Sequence, residues 1–331
     1  MTEEAIPGVQ PTAGTAGSAH RQLPLRRLAL AFGVAAVLFA AVLLPQITNR
    51  QDTLNLLFLI FLYIALGQSW NILAGFAGQI NLGHAAFFGI GAFVTRTLWL
   101  DGTNFALAFL AGGLASLGFA IIIGVPTFRL RGAYFSIGTL ALAEVLRITV
   151  ANTNPLITTL PAEAIAGYNL ALRYYLALAV ACATMLAAYL LLHSRLSLGI
   201  LAIREDEHAA QATGVHTVRH KLLTLAISSF FAGLAGATFA FQQVSYYPEA
   251  PFSPQWTFDP LLIAFVGGLG TQIGPVLGAV FYILIREQLA IRLVSAHQII
   301  FGLLFIVVVL ALPGGLVDIW ARLRRLLRRR N

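Results

Sequence analysis

The chain has 331 residues, of which 58% are hydrophobic and only 10% are charged, and its mean hydropathy is +0.81. Soluble domains carry roughly a quarter charged residues, so this composition excludes an ordinary soluble protein and indicates an integral membrane protein. The net charge of +8 does not indicate nucleic acid as a partner, because the basic residues flank apolar runs, where they act as topology signals.

The length leaves room for about ten membrane spans of roughly 20 residues and for little else. We therefore predict the all-α fold class: a polytopic membrane helix bundle of about 8–10 transmembrane helices, with broken glycine-rich segments. The single cysteine, Cys182, lies in the apolar run Leu172–Leu192, so an intrachain disulfide is excluded.

The N-terminal part combines a glycine- and alanine-rich arm with two apolar runs. Residues 1–27 show no apolar periodicity and are predicted to form a disordered cytoplasmic extension. Arginines precede the run Leu28–Leu44, as in a signal peptide, but no small-residue cleavage site follows it, so we predict a retained first helix. Leu54–Leu73 is the second predicted span.

A glycine-rich segment, Gly75–Val94, is long enough to span a membrane but too broken to form one smooth helix. Membranes tolerate irregular backbone only where it is buried in protein or lines a cavity. Gln79, Asn81 and His84 lie inside this segment, and we predict that they line a translocation path. The alternative is structural: the amides cap the broken helix, and the histidine is buried with a hydrogen bond to a carbonyl group.

The next predicted membrane helices are the apolar runs Phe105–Val125, Tyr134–Val150 and Leu172–Leu192. Glu144 and Arg147 lie in the second of these runs at positions i and i+3. This spacing predicts a structural ion pair within one helix.

The longest charged interruption between apolar runs is the interval from His193 to Lys221. Asp206 suits a helix N-terminus, alanines follow it, and Gly214 suits the position just beyond a helix end. We predict a short helix near residues 206–213 that lies at the membrane surface and packs on another protein. The alternative is a solvated loop without a partner.

The C-terminal half contains a second broken segment. Leu222–Phe241 is a predicted helix whose small residues favour close packing. Pro260–Ile285 contains GGLGTQIGPVLGA and resembles the first broken segment in glycine spacing and embedded amides, which indicates an internal repeat and adds Gln272 to the predicted path residues. The last apolar run, Ile299–Leu312, precedes a basic cytoplasmic tail, residues 314–331.

The distribution of basic residues predicts the orientation of the chain. Fifteen of the 21 lie in the N-terminal arm, the link Arg129–Arg131, the His193–Lys221 interval and the tail, so the positive-inside rule places these segments in the cytoplasm. The loops at 151–170 and 243–259 are predicted to face outward. The arginines on the minority side are Arg50, Arg96 and Arg173.

Motifs for catalysis are missing from the sequence. It contains no G-x-x-x-x-G-K-[ST] phosphate loop and no H-E-x-x-H, C-x-x-C or nucleophile-elbow motif. We therefore predict that the chain is not an enzyme and has no catalytic residues, no metal site and no cofactor of its own. A membrane protein with a surface docking helix and no motor indicates that a separate subunit supplies the energy.

The run LAIREDEHAAQATGV (201–215), followed by KLLTLAISSFFAGLAGA, resembles the cytoplasmic signature of the M-type permease subunits of branched-chain amino-acid ABC importers. Its portion from Ala209-Ala210 to Gly214 resembles the EAA loop of importer permeases, with Glu207 as the nearest acidic residue, displaced by one position. Three further blocks are similar to the same family: NILAGFAGQINLGHAAFFGIGAF (71–93), RLRGAYFSIGTLALAEVLR (129–147) and GGLGTQIGPVLGA (267–279). The resemblance covers about residues 54–313.

The resemblance implies that residues 28–313 form a permease domain in the bacterial cytoplasmic (inner) membrane, with residues 193–221 as the cytoplasmic coupling loop. The implied partners are two cytoplasmic ABC ATPase subunits, which bind the ATP, a second related permease subunit, an extracytoplasmic solute-binding protein and membrane lipid. The residues implied to couple the chain to an ATPase are Arg204, Glu205, Asp206, Glu207, Ala209, Ala210 and Gly214.

The function hypothesis is import of branched-chain amino acids or related small polar solutes. The same family plan allows urea or short amides, because no residue in the sequence identifies the cargo. A self-sufficient channel or ion-coupled carrier is the alternative from another class. It would need a relay of charges inside the spans, whereas Glu144 and Arg147 can neutralise each other, and it leaves the coupling loop unexplained.

Overall fold

The computed structural model describes residues 41–46, 50–130, 132–159, 169–292, 302, 303, 306, 310 and 314–319. The predicted extension, most of the first and last apolar runs and most of the basic tail lie outside these residues. The chain forms two compact units, Met1–Asn49 and Arg50–Asn331. In the first unit residues 41–46 are helical.

The second unit is built almost entirely of helices. A π-helical turn, Ile72–Phe76, extends the first of them, and a 3-10 turn, Ala250–Phe252, precedes the ninth. Two short strands, β1 (Thr158–Thr159) and β2 (Ser245–Tyr246), pair antiparallel between the loops that were predicted to face outward. The α-helices are α1 (Gln51–Asn71), α2 (His84–Leu100), α3 (Phe105–Thr127), α4 (Ala133–Thr153), α5 (Leu170–His193), α6 (Leu196–Glu205), α7 (Glu207–Ala212), α8 (Thr217–Gln242), α9 (Gln255–Gly267) and α10 (Gly274–Arg292).

Five helices among the described residues are long and apolar enough to cross a membrane. They confirm the predicted all-α, polytopic helix bundle. The total of eight to ten crossings stays a prediction, because the first and last apolar runs lie mostly outside the described residues. The five segments are Gln51–Phe76, Phe105–Thr127, Ala133–Thr153, Leu170–His193 and Thr217–Gln242.

Helix α1 lies at the centre of the bundle and α4 at its periphery. In α1, 78% of the residues in the apolar stretch are buried, against 22% in α4. Helix α3 exposes large apolar side chains such as Leu107, Leu114 and Ile122, which suits a surface in contact with lipid. Small residues bring α2 and α8 together, because a Cβ atom on Gly91 would overlap the backbone of Gly233.

Both glycine-rich segments interrupt helices, as predicted. The first leaves helical geometry between Ala77 and Gly83, and the second between Gly268 and Ile273. Pro260–Ile285 therefore contains parts of two helices, α9 and α10. A helix of 13 residues such as α9 is about 20 Å long, so α9 is too short to cross a hydrocarbon core of about 30 Å.

Candidate functional site

The interval from His193 to Lys221, the predicted coupling loop, contains the short helix that the sequence predicts. Asp206 is the N-cap of α7, and its Oδ1 atom accepts hydrogen bonds from the amides of His208 (2.8 Å) and Ala209 (3.0 Å). The amides of Ala209 and His208 hold the pKa of Asp206 below its ordinary value, because they stabilise the ionised carboxylate. Gly214 ends the turn with a φ of +89°, the left-handed region in which glycine is unstrained.

Helix α7 presents small side chains outward and keeps one inside. Ala209 and Ala212 are exposed, together with His208, Gln211 and Gly214. Ala210 is only 4% exposed and packs within the chain. Ala209 and Ala212 therefore offer small exposed side chains beside His208 and Gln211, and Ala210 packs against the rest of the chain.

An ion pair fastens α7 to the start of α8. The Nζ atom of Lys221 lies 2.5 Å from the Oε2 atom of Glu207, and the lysine side chain is only 2% exposed. The same Nζ atom lies 5.8 Å from the ring centroid of Phe128, beyond the end of α3. The ion pair therefore ties α7 to a helix whose apolar stretch is 61% buried in the bundle.

Arg204, in the predicted coupling loop, lies against both broken segments. A Cβ atom on Gly78 would lie 3.2 Å from the Cα atom of Arg204, and one on Gly270 would lie 2.5 Å from its Nη1 atom. Both glycines have positive φ values, +70° and +74°. Glu205 is exposed, and its carboxylate lies 3.9 Å from the Nε atom of Arg204. The sequence does not predict that Arg204 contacts the two breaks, because the three segments are far apart along the chain.

The polar residues of the first break have local partners. Gln79 donates to the carbonyl of Ala77 (3.3 Å), and Asn81 Oδ1 accepts from the amide of Gly83 (2.8 Å). His84 is buried, with its Nε2 atom 2.9 Å from the hydroxyl of Ser69. The Nδ2 atom of Asn81 and the Nδ1 atom of His84 are buried without a hydrogen-bond partner among the described residues, and the translocation path stays a prediction.

Gln272 lies in the second break, apart from those three residues. It donates to the carbonyl of Met185 in α5 (2.6 Å) and accepts from Gln68 in α1 (3.4 Å). Asn71, also in α1, accepts from the amide of Gly270 (2.8 Å) and donates to the carbonyl of Thr271 (3.0 Å). The sequence analysis missed Gln68 and Asn71, although amides in an apolar run were a usable signal.

A second group that the sequence analysis missed lies at the far ends of α9 and α10. Asp259 is buried and accepts from the hydroxyl of Tyr63 (2.7 Å) and from Gln255 (3.1 Å). Arg286 donates to the same tyrosine oxygen (2.8 Å) and lies 3.6 Å from Asp259. Asp259 and Arg286 flank the predicted second broken segment, so the sequence analysis assigned neither of them to a membrane helix.

The predicted pair of Glu144 and Arg147 is present in α4. The Nη2 atom of Arg147 lies 2.6 Å from Oε1 of Glu144, and its Nε atom lies 3.0 Å from Oε2. This bidentate geometry confirms the predicted intrahelical pairing.

Comparison with known proteins identifies the family. The family model described as "branched-chain amino acid transport system / permease component" matches residues 53–309. No solved structure matches the chain.

Three curated relatives are named as branched-chain amino acid transport permeases. The chain is 28% identical over 315 residues to the high-affinity branched-chain amino acid transport system permease protein LivM of Salmonella typhimurium, covering 85% of this chain and 73% of the relative. The Escherichia coli protein of the same name is 28% identical over 317 residues, covering 86% and 74%. A probable LivM of Methanocaldococcus jannaschii is 26% identical over 325 residues, covering 80% and 93%. The family match spans most of the membrane portion, so the chain belongs to the family of branched-chain amino acid transport system permease components.

Proposed function

We propose that the chain is the permease subunit of an ABC importer that moves branched-chain amino acids, or related small polar solutes, into the cytoplasm. The family and the names of the relatives support this proposal. The multi-pass helix bundle is the scaffold that such a subunit requires.

The proposed complex contains two such permeases, this chain and a related one. Two ABC ATPase subunits bind ATP on the cytoplasmic side, and a solute-binding protein delivers cargo on the other side of a bacterial cytoplasmic membrane. Residues 193–221 are the proposed docking loop, and residues 28–313 are the proposed permease domain.

The observation that carries the proposal is the construction of α7. The helix is capped by Asp206, exposes Ala209 and Ala212, and is fastened to α8 by the pair of Glu207 and Lys221. An exposed surface of small side chains on a firmly attached helix suits a groove on a partner that moves as it binds and hydrolyses ATP. A loop that only joined two membrane helices would need none of these features.

Movement at α7 has two routes into the membrane. One route runs through Lys221 into α8. The other runs back through Arg204, which lies against the glycines of both breaks. Broken helices line the substrate and ion sites of many transporters, so we expect a movement of the docking loop to reach that part of the bundle through both breaks.

Substitution of Ala209 by tryptophan tests the docking surface. The bulky ring should prevent α7 from entering the ATPase groove, so ATPase co-purification and ATP-driven L-leucine uptake should both fall by about tenfold or more. Ala179→Trp is the matched control, because Ala179 is also an exposed alanine but lies on α5. Capture of the ATPase at wild-type levels by Ala209→Trp would contradict the assignment.

A further inference from the structure

A cavity of about 380 Å³ lies between α1, α8, α9 and α10. This volume falls within the range of pockets that hold small molecules. Leu59, Ile283 and the ring of Trp256 contribute apolar surface, and Gln255, Arg286 and Glu287 contribute polar groups. None of the path residues expected from the sequence lines this cavity.

Arg286 is held by a tyrosine and a buried aspartate. Its Nη1 atom donates to Tyr63 Oη (2.8 Å) and lies 3.6 Å from the Oδ2 atom of the buried Asp259. The arginine side chain is nevertheless 39% exposed and lines the cavity. A guanidinium has five N–H donors, so the contact with Tyr63 leaves donors for a ligand carboxylate.

Glu287 brings a negative charge to the same cavity. Its side chain is exposed, and among the described residues no ion pair engages it. A cation and an anion therefore line one small cavity together with apolar surface. The exposed carboxylate of Glu287 and the remaining donors of Arg286 are therefore available to a ligand in this cavity.

The position of the cavity suits delivery from outside the cell. It lies at the C-terminal end of α8, whereas Lys221 and the coupling loop lie at the N-terminal end of the same helix. The 26 residues of α8 make it about 39 Å long, close to the full thickness of a bilayer. With the docking loop on the cytoplasmic side, as proposed, the cavity lies at the outer end of the bundle.

We propose that this cavity binds a zwitterionic α-amino acid with an apolar side chain. Arg286 takes the carboxylate, Glu287 takes the ammonium group, and Leu59, Ile283 and Trp256 contact the side chain. The inference rests on the proposed function and deepens it, because it places cargo recognition within the membrane subunit. Urea and short amides carry neither charge, so the two charged residues favour amino acids over amides as the cargo class.

Removing one charged group from the ligand and one from the protein tests the assignment. Equilibrium binding of radiolabelled L-leucine, leucinamide and 4-methylpentanoate is measured on the purified permease–ATPase complex without its binding protein. Leucinamide lacks the carboxylate, and 4-methylpentanoate lacks the ammonium group. Each should bind the wild-type complex about tenfold more weakly than leucine, since a hydrogen bond to a charged group contributes roughly 1.5–3 kcal/mol.

The variant Glu287→Gln should weaken leucine and leucinamide by about tenfold and leave 4-methylpentanoate unchanged. Removal of Arg286 alone would leave Asp259 buried and unpaired, so the second variant is the double change Asp259→Asn with Arg286→Gln. It should weaken leucine and 4-methylpentanoate and leave leucinamide unchanged. Glu249→Gln is the matched control, because Glu249 is exposed at the same end of the bundle but does not line the cavity.

The outcomes separate this inference from the proposed function. Equal weakening of all three ligands in Glu287→Gln, or no weakening, would overturn the cavity assignment even if the assembled importer takes up leucine with ATP. Failure of the wild-type importer, with its binding protein, to take up leucine would instead overturn the proposed function.

Discussion

Lys221 is the only lysine of the chain, and it is buried. A buried ammonium group needs a partner, because desolvation of an unpaired charge is costly. Glu207 supplies that partner and keeps 27% of its own side chain exposed. The two residues therefore differ in exposure. Without its partner, the glutamate carboxylate would be solvated, whereas the lysine ammonium group would stay buried.

This inequality predicts different effects for the two single substitutions. Glu207→Ala leaves a buried, unpaired ammonium group and should cost about 3 kcal/mol of stability. Lys221→Met leaves only a solvated carboxylate and should cost less. Thermal unfolding of the purified complex checks the order, and a smaller loss in Glu207→Ala than in Lys221→Met would contradict it.

Asp206 is a cap whose contribution depends on its charge. Because the amides of Ala209 and His208 lower its folded pKa, the carboxylate stabilises α7 fully above the ordinary aspartate pKa, and this stabilisation is lost as the pH falls through the lowered value. We expect hydrogen exchange of residues 207–212 to be several-fold faster in Asp206→Ala at neutral pH. Asp206→Asn, which can still accept these hydrogen bonds, is the control, and equal exchange in all three proteins would exclude a capping role.

Two arginines that weaken the charge signal for orientation have structural roles. Arg96 is 1% exposed and donates to the carbonyls of Thr158 (2.9 Å), Gln243 (3.1 Å) and Val244 (3.1 Å). Arg173 is buried and bonded to Asn55. Because both arginines make contacts within the protein, neither has to mark a side of the membrane. Fewer basic residues then disagree with the orientation predicted by the positive-inside rule.

At the scale of elements, the C-terminal end of α1 is hydrogen-bonded to both broken segments. Trp70 donates to the carbonyl of Asn81 in the first break (2.9 Å), and Asn71 bonds the backbone of Gly270 and Thr271 in the second. Because α1 is the most buried of the candidate spans, we expect it to hold the two breaks in a fixed arrangement.

The variant Gly270→Ala should disturb this junction. A non-glycine residue at a positive φ costs roughly 1–2 kcal/mol, and the added methyl group would displace the guanidinium of Arg204. We expect more ATP hydrolysed per leucine imported, with assembly of the complex retained. Gly102→Ala is the control, since Gly102 also has a positive φ but open space around it. An unchanged ratio in Gly270→Ala would exclude this junction from coupling.

Helix α4 carries a surface that lipid alone would not favour. It is the least buried candidate span, yet the half-exposed pair of Glu144 and Arg147 lies on it. A charged pair facing hydrocarbon is costly, whereas one facing a second subunit can find further polar partners. We predict that this face contacts the second permease.

Photo-crosslinking checks that contact. Ala141 lies three residues before Glu144 on the same helix face, and its side chain is exposed. In a Cys182→Ala background, Ala141→Cys labelled with a benzophenone reagent should capture the second permease. Ile122→Cys, on the apolar face of α3, should capture lipid instead, and equal capture at both positions would contradict the assignment.

At the scale of the whole molecule, the coupling loop and the cavity lie at opposite ends of the same helices. Helix α8 runs from Lys221 to the cavity, and α10 runs from the second break to Arg286. One set of rigid helices therefore connects the proposed ATPase contact to the proposed cargo contact.

This arrangement predicts that the chain alone does not transport. Vesicles that contain only this chain should show no L-leucine uptake above empty vesicles, because nothing drives the helices between states. Vesicles with the full complex and ATP should accumulate leucine. Uptake by the chain alone would favour the channel or carrier alternative.

The sequence by itself determined the features that depend on local composition. Apolar runs specify membrane helices, glycines in series specify the two breaks, and Asp206 with Gly214 specifies α7, because helix formation and capping are decided within a few residues. The pairing of Glu144 with Arg147 follows from the same local geometry.

Only the tertiary structure decided which distant segments meet. The contact of Arg204 with Gly78 and Gly270 and the pair of Glu207 with Lys221 depend on how helices pack. The grouping of Tyr63, Asp259 and Arg286 around a cavity does so too. Apolar residues cover nearly every face of these helices, so periodicity cannot show which face turns to which neighbour.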